Sequence, residues 1–110
     1  MNSDFKYASI TNADRTFLSY YENSDYYKPH TDTAVLTYLY WCHKSPKAFE
    51  GGNLYLSDAN VEIEYKNNRL VIFPSYYMHS VSPIKMLNDD ALPFSTLGRY
   101  CITTFSYIGI

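Results

Sequence analysis

A chain of 110 residues with a formal charge of −2 is long enough for one domain built on a single core. No block of like charge stands out, so neither a nucleic-acid nor a membrane partner has an electrostatic basis. The opening MNSDFKYASI has no apolar leader core and no run is long enough to span a bilayer, which makes a cytoplasmic location the default.

Thirteen tyrosines, together with the β-branched residues, favour strands. In chain order, strands are expected over residues 16–21, 26–31, 34–42, 53–57, 61–65, 69–73, 79–84 and 98–108. Turn residues separate them at 22–24, at 45–52 with Pro46 and Gly51-Gly52, at 58–60, at Asn67-Asn68 and at Pro74-Ser75. Asparagine tolerates positive φ, so Asn67-Asn68 predicts a tight hairpin between its flanking strands. Residues 85–97, with Asn88-Asp89-Asp90 and Pro93, read as a loop of functional length. No window has sustained helical periodicity, and no repeat or linker divides the chain. These signals predict an all-β sandwich or barrel in a single domain, 1–110. Cys42 and Cys101 are too few for a disulfide scaffold and do not form a C-x-x-C motif, which favours a reducing compartment.

The stretch YYKPHTDT places His30 and Asp32 one residue apart. On a strand, residues i and i+2 share a face with Cα atoms roughly 6.5–7 Å apart, and metal–nitrogen and metal–oxygen bonds are about 2.0–2.2 Å. One ion can therefore bridge the two side chains, with Thr31 on the opposite face. His79 opens a later strand and supplies a second imidazole. Two histidines and a carboxylate form the facial triad of non-haem Fe(II) sites. His43, at the end of an apolar run, reads as a surface residue.

Five segments occur in an order that resembles the Fe(II)- and 2-oxoglutarate-dependent dioxygenases, specifically their prolyl 4-hydroxylase-like branch. They are YYKPHTD, TYLYW, EGGNLYLSD, RLVIFPSYYMHSV and GRYCITTFSYI, which together cover nearly the whole chain. The resemblance implies a double-stranded β-helix (jelly-roll, cupin-like) core. Family members carry helices before the barrel, and about fifteen residues precede the first strand here. A minimal or truncated catalytic core, with little helical layer and some apolar surface exposed, is the expectation that follows.

The same resemblance implies roles. His30, Asp32 and His79 would hold Fe(II), and Arg99 would bind the far carboxylate of 2-oxoglutarate through its bidentate fork. Tyr38 matches the family tyrosine that bonds this carboxylate, and Thr103 on the Arg99 strand face would add a hydroxyl. Either Tyr20 or Tyr21 would approach the co-substrate. Arg99 lies 20 positions after His79, a longer gap than is usual in the family; Lys85 is the rival cation but lacks the G-x-R-x-x-I-T context. The usual asparagine and tryptophan of the family motifs are Tyr40 and Phe105. The implied reaction is hydroxylation by O2 coupled to decarboxylation of 2-oxoglutarate to succinate and CO2, with ascorbate a candidate auxiliary reductant. The carboxylate of Asp32 speaks against the related halogenases, which need that space for halide. The implied substrate is a prolyl residue of a peptide or protein; alternatives are a small molecule or free amino acid, or a non-catalytic cupin-like binding module. Nucleic-acid demethylation is disfavoured because no second arginine follows Arg99.

Overall fold

The computed structural model describes residues 13–87 and 95–108. Its strands are β1 (Ala13–Tyr21), β2 (Tyr27–His30), β3 (Leu36–Cys42), β4 (Phe49–Glu50), β5 (Leu54–Leu56), β6 (Val61–Ile63), β7 (Arg69–Pro74), β8 (His79–Val81), β9 (Lys85–Met86) and β10 (Arg99–Tyr107). Among the described residues there is no helix, and therefore none long and apolar enough to cross a membrane. Two four-stranded sheets, β1-β10-β3-β7 and β2-β8-β5-β6, are joined by the small β4-β9 pair. From β2 onward the chain passes repeatedly between the two large sheets, which winds it into a double-stranded β-helix.

The core lies between the sheets. Leu39 and Trp41 of β3, Val71 and Phe73 of β7 and Cys101 of β10 meet Leu54, Leu56 and Val81 of the second sheet. Phe49, Met86, Tyr65 and Ile84 close one end of this cluster. Side-chain alternation decides which residues face in: on β3, Thr37, Leu39 and Trp41 are buried, while Tyr38 and Tyr40 between them are only half-buried. The outer face of the first sheet carries an apolar row in register across all four strands, Leu18, Ile102, Tyr40 and Leu70. Leu18 and Leu70 at its ends are 63% and 58% exposed.

Two sequence expectations are corrected. Asn68 has the positive φ (63°) expected of a turn, but it does not close a hairpin. β6 pairs with β5 and β7 with β3, so Asn67-Asn68 turns a corner between sheets. Residues 45–52 and 85–97, read as a turn and a loop, supply the β4-β9 pair through Phe49↔Met86 and Glu50↔Lys85. Two-residue strands are too short for alternation to be legible, although the pattern is there: Phe49 and Met86 are buried, Glu50 and Lys85 exposed. Asn88-Asp89-Asp90 and Pro93 lie outside the described residues.

Phe49 is 1% exposed and anchors the short pair to the main core. Phe49→Ala is expected to lower unfolding free energy by about 3–5 kcal/mol, measured by urea denaturation.

Candidate functional site

The cross-strand register brings the two histidines together. β2 and β8 are antiparallel, and His30 pairs directly with His79, with ring centroids 4.1 Å apart. A register irregularity between Tyr27 and His30 bends β2 at this point. Asp32 lies just past the strand end, where its backbone N–H donates to the Ser75 carbonyl at 2.9 Å. Its carboxylate oxygens then lie 3.6 Å from His30 Nε2 and 3.3 Å from His79 Nε2. One ligand atom from each of the three residues falls within 4.8 Å of the others.

The tautomers follow from the backbone. His30 Nδ1 is 2.7 Å from the Lys28 carbonyl and His79 Nδ1 is 2.8 Å from the Tyr77 carbonyl. A carbonyl only accepts, so each Nδ1 carries a proton, and in the neutral ring Nε2 is then the atom whose lone pair faces the carboxylate. Burial lowers the pKa of His30, which favours this neutral form. Burial opposes ionisation of Asp32, yet hydrogen bonding to His79 and Thr37 and the charges of the two imidazoles outweigh it and hold the carboxyl below its usual range. Two imidazole Nε2 atoms and a carboxylate thus converge on one point. A divalent cation resolves that arrangement, and an N2O donor set with open positions fits Fe(II).

The residues behind the triad hold it rigid. Thr37 donates its hydroxyl to Asp32 Oδ2 at 2.9 Å, and Ser75 Oγ lies 2.8 Å behind it. Both hydroxyl residues are buried, Ser75 completely. Tyr27 stacks on His30 at 3.8 Å and Phe73 meets His79 edge-on at 4.7 Å. Sequence reasoning did not find Thr37 or Ser75; the inward phase of β3 was the available signal for Thr37.

The triad opens into a cavity of about 350 Å³, lined on the first sheet by Tyr21, Leu39, Arg99, Cys101, Thr103 and Phe105 among others. These residues are all odd-numbered because β1, β10 and β3 pair in register with their odd positions facing in. The same parity corrects the expectation for Tyr38. It stands on the opposite face of β3 and does not line the cavity; the inward aromatic of that strand is Trp41. Parity also separates Tyr20 from Tyr21. Tyr21 lines the cavity, whereas the Tyr20 hydroxyl accepts from Gly98 N–H and donates to Glu22. Lys85 is exposed on β9 and is not part of the lining. The His43 ring packs near Phe49 and Tyr65, away from the triad.

Arg99 is 2% exposed, and burial lowers its pKa, though a guanidinium remains charged. Among the described residues no carboxylate pairs with it. Three rings surround it instead, Tyr65, Tyr21 and Trp41, at 4.9, 5.4 and 5.6 Å from Cζ. Beside it the fully buried Trp41 Nε1 lies against the Cys101 thiol. The Thr103 hydroxyl is 3.5 Å from the same sulfur. A buried cation without a counter-ion among the described residues fits the far carboxylate of 2-oxoglutarate.

Comparison with known proteins agrees with this geometry. The profile of the 2OG-Fe(II) oxygenase superfamily matches residues 16–107. An uncharacterised PKHD-type hydroxylase of Synechocystis sp. is 32% identical over 90 residues, which cover 76% of this chain and 27% of that protein. The chain thus spans about a quarter of that curated relative. Among solved structures, a Pseudomonas putida prolyl-4-hydroxylase superposes with a TM-score of 0.61 at 18% identity, covering 91% of this chain and 55% of that one. An RmlC-like cupin protein of Desulfovibrio desulfuricans superposes with a TM-score of 0.53 at 10% identity, covering 84% and 71%. The two likenesses establish the double-stranded β-helix, and the profile match across nearly the full length establishes more: the chain belongs to the 2OG-Fe(II) oxygenase superfamily.

Proposed function

We propose that this protein hydroxylates a prolyl residue of a peptide or protein, using Fe(II), 2-oxoglutarate and O2 and releasing succinate and CO2. The observation that carries the reading is the pairing, on one cavity, of a His30–Asp32–His79 donor set with a buried guanidinium that has no counter-ion among the described residues. The whole chain acts as one dioxygenase domain in this reading. Bound Fe(II) supplies oxygen activation coupled to decarboxylation of the co-substrate.

The chain's own residues do the rest. The Nδ1–carbonyl bonds orient both rings so that Nε2 is the atom that would ligate the metal. Thr37 and Ser75 hold the carboxylate of Asp32 in one orientation. Arg99 binds the far carboxylate, with Thr103 and Tyr21 as neutral donors; burial raises the Tyr21 pKa and keeps its hydroxyl protonated. With Arg99 and Asp32 committed, the described lining leaves no further carboxylate, lysine or arginine to hold a charged substrate. A free amino acid would find no partner for its own two charges, which favours a residue within a peptide. Phe17 and Tyr27 at the cavity, each 45% exposed, offer aromatic surface for the flanking chain. A non-catalytic cupin-like module would gain nothing from an unpaired buried guanidinium.

Anaerobic addition of Fe(II) and 2-oxoglutarate is expected to give a weak visible charge-transfer band, and admission of O2 to give succinate. A folded protein showing neither is not an oxygenase. A library of proline-containing peptides should show a mass gain of one oxygen atom in at least one member. His79→Ala is expected to abolish Fe(II) binding in calorimetric titration. Arg99→Ala should retain the metal and weaken 2-oxoglutarate by about 2–5 kcal/mol. Thr37→Val leaves Asp32 without its hydroxyl donor and should lower metal affinity by about 10–100-fold at unchanged fold, read by circular dichroism alongside the titration.

A further inference from the structure

The sequence presents Gly51-Gly52 as a turn, and both glycines have positive φ, 83° and 77°. Their surroundings differ. A Cβ on Gly51 would lie 1.9 Å from the Pro83 carbonyl oxygen, a backbone obstruction. A Cβ on Gly52 would lie 2.7 Å from Arg99 Cδ, 3.0 Å from its Nε and 2.6 Å from Ile84 Cδ1. The Gly52 carbonyl accepts from Arg99 Nε at 2.9 Å, and its N–H donates to the Ser82 carbonyl at 3.1 Å. Arg99 therefore runs over the bare Cα of Gly52 and is hydrogen-bonded to the same residue.

The three aromatic rings attract the guanidinium without fixing its rotation, because the face of a ring is a broad electrostatic target. The bond to Gly52 is directional. It engages Nε–H, so the terminal amino groups, which lie near the Cys101 thiol, are the donors that would pair with a carboxylate. We propose that Gly52 is a positioning residue for Arg99: its carbonyl and its missing Cβ together aim the guanidinium into the cavity and so confer selectivity for a 2-oxo acid with a distal carboxylate. The proposal rests on the role given to Arg99 above. Any side chain at Gly52 displaces Cδ and Nε, breaks the bond to the carbonyl and moves the fork away from its ligand. The β4–β5 connection thereby acts on a residue 47 positions further along the chain.

The test compares wild type, Gly52→Ala, Arg99→Ala and the double variant, with Mn(II), 2-oxoglutarate and pyruvate, which lacks the distal carboxylate, as probes. Gly52→Ala is expected to bind Mn(II) and pyruvate as wild type does and to bind 2-oxoglutarate about tenfold more weakly. Adding it to Arg99→Ala should change 2-oxoglutarate affinity no further, a coupling on the order of tenfold. Wild-type 2-oxoglutarate affinity in Gly52→Ala, equal losses for 2-oxoglutarate and pyruvate, or an undiminished effect in the Arg99→Ala background would each overturn the proposal. Unchanged 2-oxoglutarate affinity in Arg99→Ala alone would instead overturn the site reading beneath it. A measurement on the unaltered protein stands if Gly52→Ala does not fold. NMR should detect a scalar coupling across the hydrogen bond from Arg99 Nε to the Gly52 carbonyl carbon, and its absence also overturns the proposal.

Discussion

Three potential metal ligands, two imidazole nitrogens and a carboxylate, face one another at the end of β2. Such a group fits a divalent cation, and much of the surrounding structure orients the donors toward one another. Backbone carbonyls hold the Nδ1 protons, aromatic rings pack on both imidazoles, and a Thr37–Ser75 pair backs the carboxylate. The direct pairing of His30 with His79 is itself a consequence of strand register. A slip of one residue would turn one imidazole to the other face of the sheet.

The other end of the cavity has the opposite problem and the same kind of solution. A guanidinium is buried there without an anion among the described residues, and burial without a partner is costly. Three aromatic rings and one backbone carbonyl compensate in part, and a dicarboxylate ligand would complete the compensation. The protein thus keeps two incomplete electrostatic sites on one cavity wall system. The first fits a cation and the second an anion, the two groups that the proposed metal-bound 2-oxo diacid would bring.

The site draws on both large sheets. β2 and β8 of the second carry the histidines, while β1, β3 and β10 of the first carry Tyr21, Thr37, Arg99 and Thr103. Register between β1, β10 and β3 is unbroken, so one parity defines the entire inner wall. That parity admits Tyr21 and excludes Tyr38, two tyrosines that composition and motif matching treat alike. It also puts Trp41 next to Arg99, a neighbour that no local pattern announces.

The sequence by itself determined the strand-rich class, the H-x-D spacing, the second histidine and the terminal arginine, because these follow from residue type and motif order; that Asp32 lies past the end of β2, not on its face, was decided by the fold. Strand boundaries were legible wherever a run was long enough to alternate, as in β3, β7 and β10. Only the tertiary structure decided what depends on pairing between distant segments. The Asn67-Asn68 turn became a corner because β6 and β7 found partners in different sheets. Gly52 became a contact of Arg99 because the β4–β5 connection passes beneath the start of β10. Tyr38 lost its expected place for the same reason: a side chain's face is set by the register of its whole strand, and register is a property of two chain segments, not of one.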